Sequence, residues 1–501
     1  MSLADFVLFL LGAVALWQFI HLCRTLTSHG RHKLPPGPIG LPLIGSLHML
    51  GKLPHRTLYK MSQKYGPIMS LRLGLIPTIV VSSPAAAELF LKTHDAIFAN
   101  RPKVQFSDSK TMAFSEFGGY WRSVRKFCNM ELLSPAKIDS MAGLRKEELG
   151  FLVEWLKNAA GTGQVVNVTD KVSGLIEDMT CRMLLGKKSR DDSRFNLSQV
   201  LNEMTKTTGA FNVADFIPFL APLDLQGLAR KTKITGKALD KILEVIIDEH
   251  EQEASEGYKK LDKDFVDVLL SLKSNPPSIH EQLAKNIERS NIKAIILDII
   301  FGSVETSITA IEWIMSELIR HKRVMKLVQE EIRNVIGDCE FIEESHLSKL
   351  DYLHMVVKES MRLHPIIPLL IPHESMEDIV VDGYYIKKKS RIIINSWGLG
   401  RDPKIWSENV QEFFPERFIG SDIDLRGKNF ELIPFGSGRR GCPGMHLGLT
   451  NVKLVIAQLV HSFDWEMPFG MSPDELNMDE TFGLSLPRTK HLLAIPKIRQ
   501  C

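Results

Sequence analysis

The sequence predicts a mainly α-helical body with a minor β part, carried behind an N-terminal transmembrane anchor. Three observations predict it. From about Pro84 onward apolar residues recur at three-to-four-residue spacing, the period of a helix buried on one face. Only two regions, Pro67–Ser83 and Asp378–Ile394, are short, β-branched and punctuated by turn residues as strands are. The apolar run Leu3–Cys23 is long enough to cross a bilayer core, which takes about 20 residues.

Composition bounds the function classes. Of the 501 residues, 44% are hydrophobic and 24% charged, the balance of a folded chain and not of a disordered one. Lys+Arg 62 against Asp+Glu 59 leaves a net charge of +3, which excludes the strong basic bias of a nucleic-acid-binding protein. The six cysteines, Cys23, Cys128, Cys181, Cys339, Cys442 and Cys501, have no framework spacing, as expected in a reducing compartment.

Residues 1–24 read as an uncleaved anchor. Asp5, Gln18 and His21 sit near the ends of the apolar run, no Lys or Arg precedes it, and no clean small-residue cleavage site follows. Arg24, Arg31 and Lys33 come after it, which places the rest of the chain on the cytosolic side. In that orientation the sequons at Asn167 and Asn196 stay unmodified. Residues 25–45 form a basic, Pro-rich hinge in which Pro35, Pro36, Pro38 and Pro42 forbid helix. Residues 46–501 read as one domain, with no internal repeat and no linker.

Within it Pro67–Ser83 reads as a hairpin broken by Gly74 and Pro77, and Asp382-Gly383 as the turn of a second. Helices are expected around Ala142–Ala160 and Ile234–Ala254, with solvated loops at 253–264 and 272–282. The stretch Ser290–His321 stands apart by its length and by being apolar round most of its first half, as in a helix through the protein centre. Lys293, Asp298 and Glu305 argue against its spanning a membrane. Gly302 and Ser303 offer a place to kink, and the Thr306 hydroxyl is expected to bond the carbonyl one turn earlier.

The stretch "PFGSGRRGCPG", Pro434–Gly444, sets a lone cysteine among glycines and arginines. No second Cys or His stands before Cys442 at zinc-site spacing. A reactive thiolate, a ligand to something larger, or no special role remain open on those residues alone.

Phe435, Gly438, Arg440, Cys442 and Gly444 spell F-x-x-G-x-R-x-C-x-G, which resembles the haem-thiolate loop of the cytochrome P450 monooxygenases. The resemblance implies a cytochrome P450 fold, with haem b as cofactor and Cys442 as the axial thiolate ligand of its iron, pushing electron density that favours O–O cleavage. It implies that Arg440 neutralises a haem propionate, that Phe435 covers the sulfur, and that the glycines, Gly444 among them, let N–H groups approach it. Trp121 and Arg125 in "YWRSVRKFC", and His373 in "IPHES", resemble further propionate contacts.

The family also carries E-x-x-R. Three such tetrads occur, at Glu317–Arg320, Glu330–Arg333 and Glu359–Arg362. The wording "KESMRLHP" picks the third, with Arg417 of "FFPERF" completing a Glu-Arg-Arg network, and leaves the other two as expected surface pairs. The oxygen-activation signature [A/G]-G-x-[D/E]-T reads Gly302-Ser303-Val304-Glu305-Thr306, so Glu305 and Thr306 are implied to relay protons to bound O2, and Ser303 departs from the pattern. These wordings together look like the plant microsomal branch.

What the resemblance implies is a monooxygenase that hydroxylates a lipophilic plant specialised metabolite, a terpenoid or a neutral aromatic. It uses O2 and electrons from NADPH, delivered by a separate NADPH–cytochrome P450 reductase, since the chain has no nicotinamide or flavin fingerprint of its own. Arg122, Lys126, Lys428 and Arg439 are the candidate basic dock for that reductase. The implied location is the endoplasmic reticulum membrane, single-pass, with the catalytic domain cytosolic. The alternative is a haem-thiolate isomerase or dehydratase independent of reductase, against which the Glu305–Thr306 pair and the anchor both count. The pocket segments implied by resemblance are Phe106–Phe114, the region near Phe211, Ile300, Phe301, Val304, Ile366–Ile371 and Phe482–Leu484.

Overall fold

The computed structural model describes Gly12 and residues 33–103, 110–188, 197–208, 210–256, 263–274, 276–337, 341–407 and 409–499. Apart from Gly12, the anchor expectation lies outside these residues, as do Asn196, Phe106–Ser109, Cys23, Cys339 and Cys501.

Helices of nine residues or more dominate. They are α1 Pro54–Tyr65, α2 Gly119–Phe127, α3 Ala142–Thr162, α4 Val168–Leu185, α5 Leu197–Thr208, α6 Leu228–Ser255, α7 Phe265–Ser274, α8 Arg289–Arg320, α9 Lys322–Ile336, α10 Asp351–Leu363 and α11 Met445–Ser462. The strands are β1 Ile68–Leu73, β2 Ile76–Val81, β3 Val166–Asn167, β4 His373–Glu374, β5 Ile379–Val381, β6 Tyr384–Ile386, β7 Arg391–Ile394, β8 Phe463–Glu466 and β9 Leu493–Ile498. They form one sheet in the order β1-β2-β7-β4, a second in the order β3-β9-β8, and the β5-β6 hairpin. The mainly α, minor β expectation holds.

Both hairpins fall where the turn residues put them. Between β1 and β2, Gly74 takes φ +59°, and a Cβ there would lie 2.3 Å from the Phe216 carbonyl oxygen, so the turn needs glycine on two counts. Between β5 and β6, Asp382 and Gly383 both have positive φ, 48° and 75°, as a type I′ turn requires. The segment 253–264 is only partly loop, because α6 continues to Ser255.

The long helix α8 begins one residue before the expected start and runs unbroken through Gly302-Ser303. The helical ladder does not open there. The Ser303 hydroxyl donates to the Ile299 carbonyl at 2.7 Å and the Thr306 hydroxyl to the Gly302 carbonyl at 2.6 Å, side-chain bonds laid over the helical ladder without interrupting it. Its second half, Ser307–Ile319, is buried throughout and packs against α4, α10 and α11. Among the described residues α8 alone is long and apolar enough to cross a membrane. Lys293 pairs with the half-exposed Glu244 of α6, and the second half of α8 is buried inside the protein.

The Glu-Arg-Arg network forms as expected. Arg362 grips Glu359 with two bonds of 2.7 and 2.8 Å, both side chains fully buried, and Arg417 approaches the same carboxylate at 2.9 Å. Arg362 also donates to the carbonyls of Gly400 and Val410, and Arg417 to that of Trp406. Thus α10 is bolted to the long irregular segment that leads into the Cys442 loop. Of the two tetrads expected on the surface, Glu330 and Arg333 are exposed, but Glu317 is not. It is buried, and its carboxylate takes His364 at 2.7 Å and His321 at 3.2 Å, because α8 ends against the end of α10 and not in water.

Candidate functional site

The Pro434–Gly444 loop folds back on itself. The Cys442 N–H donates to the Phe435 carbonyl at 2.8 Å, and the Gly441 N–H to that of Gly438 at 3.1 Å. Gly438 has φ +67°, and a Cβ on it would lie 2.1 Å from the Leu91 carbonyl oxygen, so only glycine lets the loop seat on that neighbour. Gly444 then caps α11, and its N–H donates to the Cys442 sulfur. The thiol therefore sits at the positive end of an 18-residue helix with an amide aimed at it.

Cys442 is accessible, but to an internal cavity of about 250 Å³ and not to the outer surface. Protein crowds it on the other sides, and that burial pushes its thiol pKa up, while the Gly444 N–H and Arg125 pull the other way. Phe435 and Gly448 line the wall beside Cys442, whereas Gly302, Ser303 and Thr306 come to the same cavity from α8. Met112, Ala113, Ile366, Leu370 and Ile371 supply apolar wall.

Cationic and polar side chains gather at this cavity. Arg440 donates to the carbonyls of Ala99, Met112 and Ser115 and lies 4.3 Å from the Trp121 ring centre. Trp121 holds Met112 through its indole N–H at 3.1 Å. Arg125 donates to the Gly441 carbonyl. Arg101, which the motif reading did not single out, donates to the carbonyls of Ala113, Ile371 and Pro372. Flanked by Asn100, Pro102 and Lys103, it belongs to no motif that would have marked it in the sequence. None of the three guanidiniums is paired with a carboxylate among the described residues. Burial lowers the pKa of all three, and repulsion from the neighbouring arginines adds to it for two: Arg101 falls well below the ordinary range, and Arg440 falls to about 10 with Arg125 as its neighbour. His373 is buried with Nδ1 on the Phe98 carbonyl at 2.8 Å, and burial followed by Arg101 holds its pKa well below normal, so the ring is neutral.

One buried and two half-buried cations, and a buried histidine, all without a carboxylate partner among the described residues, surround an apolar slot with a thiol on one wall. That donor set suits a flat apolar ligand with carboxylates on one edge and a metal at its centre. Haem has that shape and those groups.

Trp121, Arg125, His373, Phe435, Arg440, Cys442, Gly444 and Thr306 thus come together at one cavity. Glu305 does not line it. Its carboxylate turns to Ser485, which donates to it at 3.0 Å, and burial pushes its pKa up. Ser303 lines the cavity and lies 3.3 Å from the Thr180 hydroxyl. Of the expected pocket segments, Met112 and Ala113 and several of Ile366–Ile371 line it, whereas from α8 the wall takes Asp298, Ile299 and Gly302 in place of Ile300, Phe301 and Val304. Phe211 stacks on Phe216 and Phe482 on His55, both away from that lining. On the outer surface Arg122 and Arg439 both lie over the Phe117 ring, Arg439 also pairs with Asp95 at 3.2 Å, and Lys126 and Lys428 are exposed.

Residues 35–495 match the cytochrome P450 family model. The chain is 58% identical to cytochrome P450 CYP736A12 of Panax ginseng over 98% of both chains. It is 41% identical to cytochrome P450 71A1 of Persea americana over 88% of this chain and 89% of that one. It is 40% identical to desmethyl-deoxy-podophyllotoxin synthase of Sinopodophyllum hexandrum over 95% and 94%.

Proposed function

From the premise that the chain belongs to the cytochrome P450 family, in its plant A-type branch, and is a haem-thiolate monooxygenase of it, we propose that it hydroxylates a lipophilic plant specialised metabolite. Electrons come from NADPH through a separate reductase. Cys442 holds the haem iron, and Arg101, Trp121, Arg125, His373 and Arg440 receive the propionates. The observation that carries this assignment is the gathering of buried and half-buried cations, with no carboxylate partner among the described residues, on a cavity walled by Cys442 and Thr306.

Haem supplies iron that activates O2 and inserts one oxygen atom into a C–H bond. The protein's part is positional and electrostatic. The Gly444 N–H and the N-terminus of α11 stabilise negative charge on the Cys442 sulfur, and Phe435 keeps water from it. The three arginines hold carboxylates that relieve their mutual repulsion. Met112, Ile366 and Leu370 keep the cavity apolar, which suits a terpenoid or neutral aromatic substrate. Thr306, at the cavity wall, moves a proton toward the oxygen being reduced. Glu305, turned to Ser485 and off the cavity wall, holds a proton by virtue of its burial and makes no hydrogen bond to Thr306, so its part in the proton supply is indirect.

In this reading residues 1–24 anchor the chain in the endoplasmic reticulum membrane, residues 25–45 form the hinge, and residues 46–501 are the cytosolic catalytic domain. Arg122, Lys126, Lys428 and Arg439 face the reductase.

The first test is a reduced, carbon-monoxide difference spectrum. A strongly red-shifted Soret band in the native chain, absent in Cys442→Ala, is expected; a band typical of histidine-ligated haem would refute the ligand assignment. Turnover of lipophilic candidates should require NADPH and added reductase. Conversion without either would favour a rearrangement enzyme.

A further inference from the structure

A second cleft, of about 860 Å³, opens on the outer surface away from the Cys442 cavity. Its walls carry Lys103, Lys387, Lys388, Lys389 and Arg391 against two carboxylates, Asp215 and Glu374. Lys389 is taken by Glu374 at 2.7 Å and Lys103 by Glu116 at 3.3 Å. The ammonium groups of Lys387 and Lys388 have no ion-pair partner among the described residues. Arg391 is the telling member. It is only 5% exposed and its Nε is buried without a hydrogen-bond partner. Its guanidinium lies 4.9 Å from the Phe216 ring centre and makes one long hydrogen bond, 3.5 Å to the Asp215 carbonyl. A buried guanidinium so poorly hydrogen-bonded, beside two lysines whose nearest counter-charge is the exposed Asp378, is chemistry for an oxyanion.

The floor of the cleft is apolar, from Ile76, Pro77 and Pro218, and its surroundings explain which oxyanion. Leu43, Leu75, Phe219, Leu223 and Leu225 are large apolar side chains exposed to solvent. They lie on connected backbone: the Gly74 N–H bonds the Ile44 carbonyl at 3.0 Å and the Leu75 N–H bonds that of Phe216 at 2.9 Å. An exposed apolar patch beside a basic cleft matches the two layers of a membrane surface, acyl chains and phosphates. The hinge that carries Leu43 also leads back to the apolar run Leu3–Cys23.

We propose that this cleft holds the phosphate of an anionic membrane lipid, with Arg391 and Lys387–Lys388 as its ligands, while Phe219, Leu223 and Leu225 enter the acyl layer. This rests on the membrane-bound reading above and adds to it a lipid class and a site.

The test uses the full-length haem-loaded protein in nanodiscs of pure phosphatidylcholine or of phosphatidylcholine with phosphatidylglycerol. Lysines are acetylated under limiting reagent, and each rate is read by mass spectrometry. Lys387 and Lys388 should react roughly five-fold more slowly with the anionic lipid present, while Lys428, outside the cleft, should not change. Millimolar glycerol phosphate added to the phosphatidylcholine discs should not reproduce the protection. Lys103, on the same cleft wall, should be slowed as well, and with Lys387→Glu and Lys388→Glu together that slowing should vanish. Equal rates in both discs would overturn the site, and protection by soluble phosphate would make it a free-phosphate site. Protein that does not enter discs at all would refute the membrane-bound reading as well, a distinguishable result.

Discussion

Thr306 shows how much one hydroxyl decides. Its proton is donated to the Gly302 carbonyl at 2.6 Å, so toward the cavity it presents a lone pair. To hand a proton onward it must swing off that carbonyl, and the rotation is available because the group borders open space. Thr306→Val keeps the shape and removes the proton. Product formed per NADPH consumed should fall on the order of 10²-fold, with NADPH consumption largely retained; an unchanged ratio would mean that protons arrive by another route. The motif reading found Thr306 and Cys442 because their spacing is local. It paired Thr306 with Glu305 because they are adjacent in sequence, but neighbours on a helix of about 3.6 residues per turn point about 100° apart. The chain resolves this by giving Glu305 to Ser485, a partner 180 residues away that no local pattern announces.

At the scale of elements, the loop before α11 separates two glycines that look alike in the motif. Gly438→Ala would drive a Cβ into the Leu91 carbonyl at positive φ, whereas a Cβ on Gly444 meets no protein atom within 4 Å. Gly438→Ala should lose the red-shifted carbon-monoxide band and Gly444→Ala should keep it; equal spectra would show that seating the loop on Leu91 does not matter. The junction of α8 with α10 is a pH-dependent element. Burial pushes the Glu317 carboxyl up, but hydrogen bonds from His321 and from the neutral His364 outweigh it and bring it to about 2. Its stabilisation is present above the ordinary 4.5 and is lost as pH falls toward about 2. His321 is raised above 6.5, chiefly by its hydrogen bond to Glu317, so its stabilisation is complete below 6.5 and is lost as pH rises through the raised value. The Tm difference between the native chain and His321→Gln should therefore be largest between pH 4.5 and 6.5 and shrink on the alkaline side. A difference flat with pH would mean that the ion pair contributes nothing. Both strand hairpins were legible because Gly74 and Asp382-Gly383 carry their own conformational reason. The buried end of α8 was not, since Glu317 is hidden by a tertiary contact with His364 and by nothing in its own tetrad.

Across the whole molecule, the Glu359–Arg362–Arg417 network joins α10 to the segment that delivers the Cys442 loop. Both members of the central pair are fully buried, so Glu359→Ala leaves two guanidiniums without their anion and should cost about 3–5 kcal/mol, read as a lower midpoint in urea and as loss of haem from the expressed protein. A midpoint within error of the native chain would show that the carbonyls of Gly400 and Val410 suffice for Arg362. The overall architecture was legible because helical period and short strands are written along the chain. Of the converging arginines, Arg125 and Arg440 were legible through the wording around them, but Arg101 was not, since it lies in no motif and only the fold brings it to the other two.

That convergence bears on how the protein is made. Until an anion reaches them, Arg101, Arg125 and Arg440 repel one another inside the fold, so a newly synthesised chain is held back by its own charge. Protease resistance of chains expressed with and without a haem precursor measures the effect, and equal resistance would refute it. Haem supply then sets not only how active each molecule is but how many molecules survive.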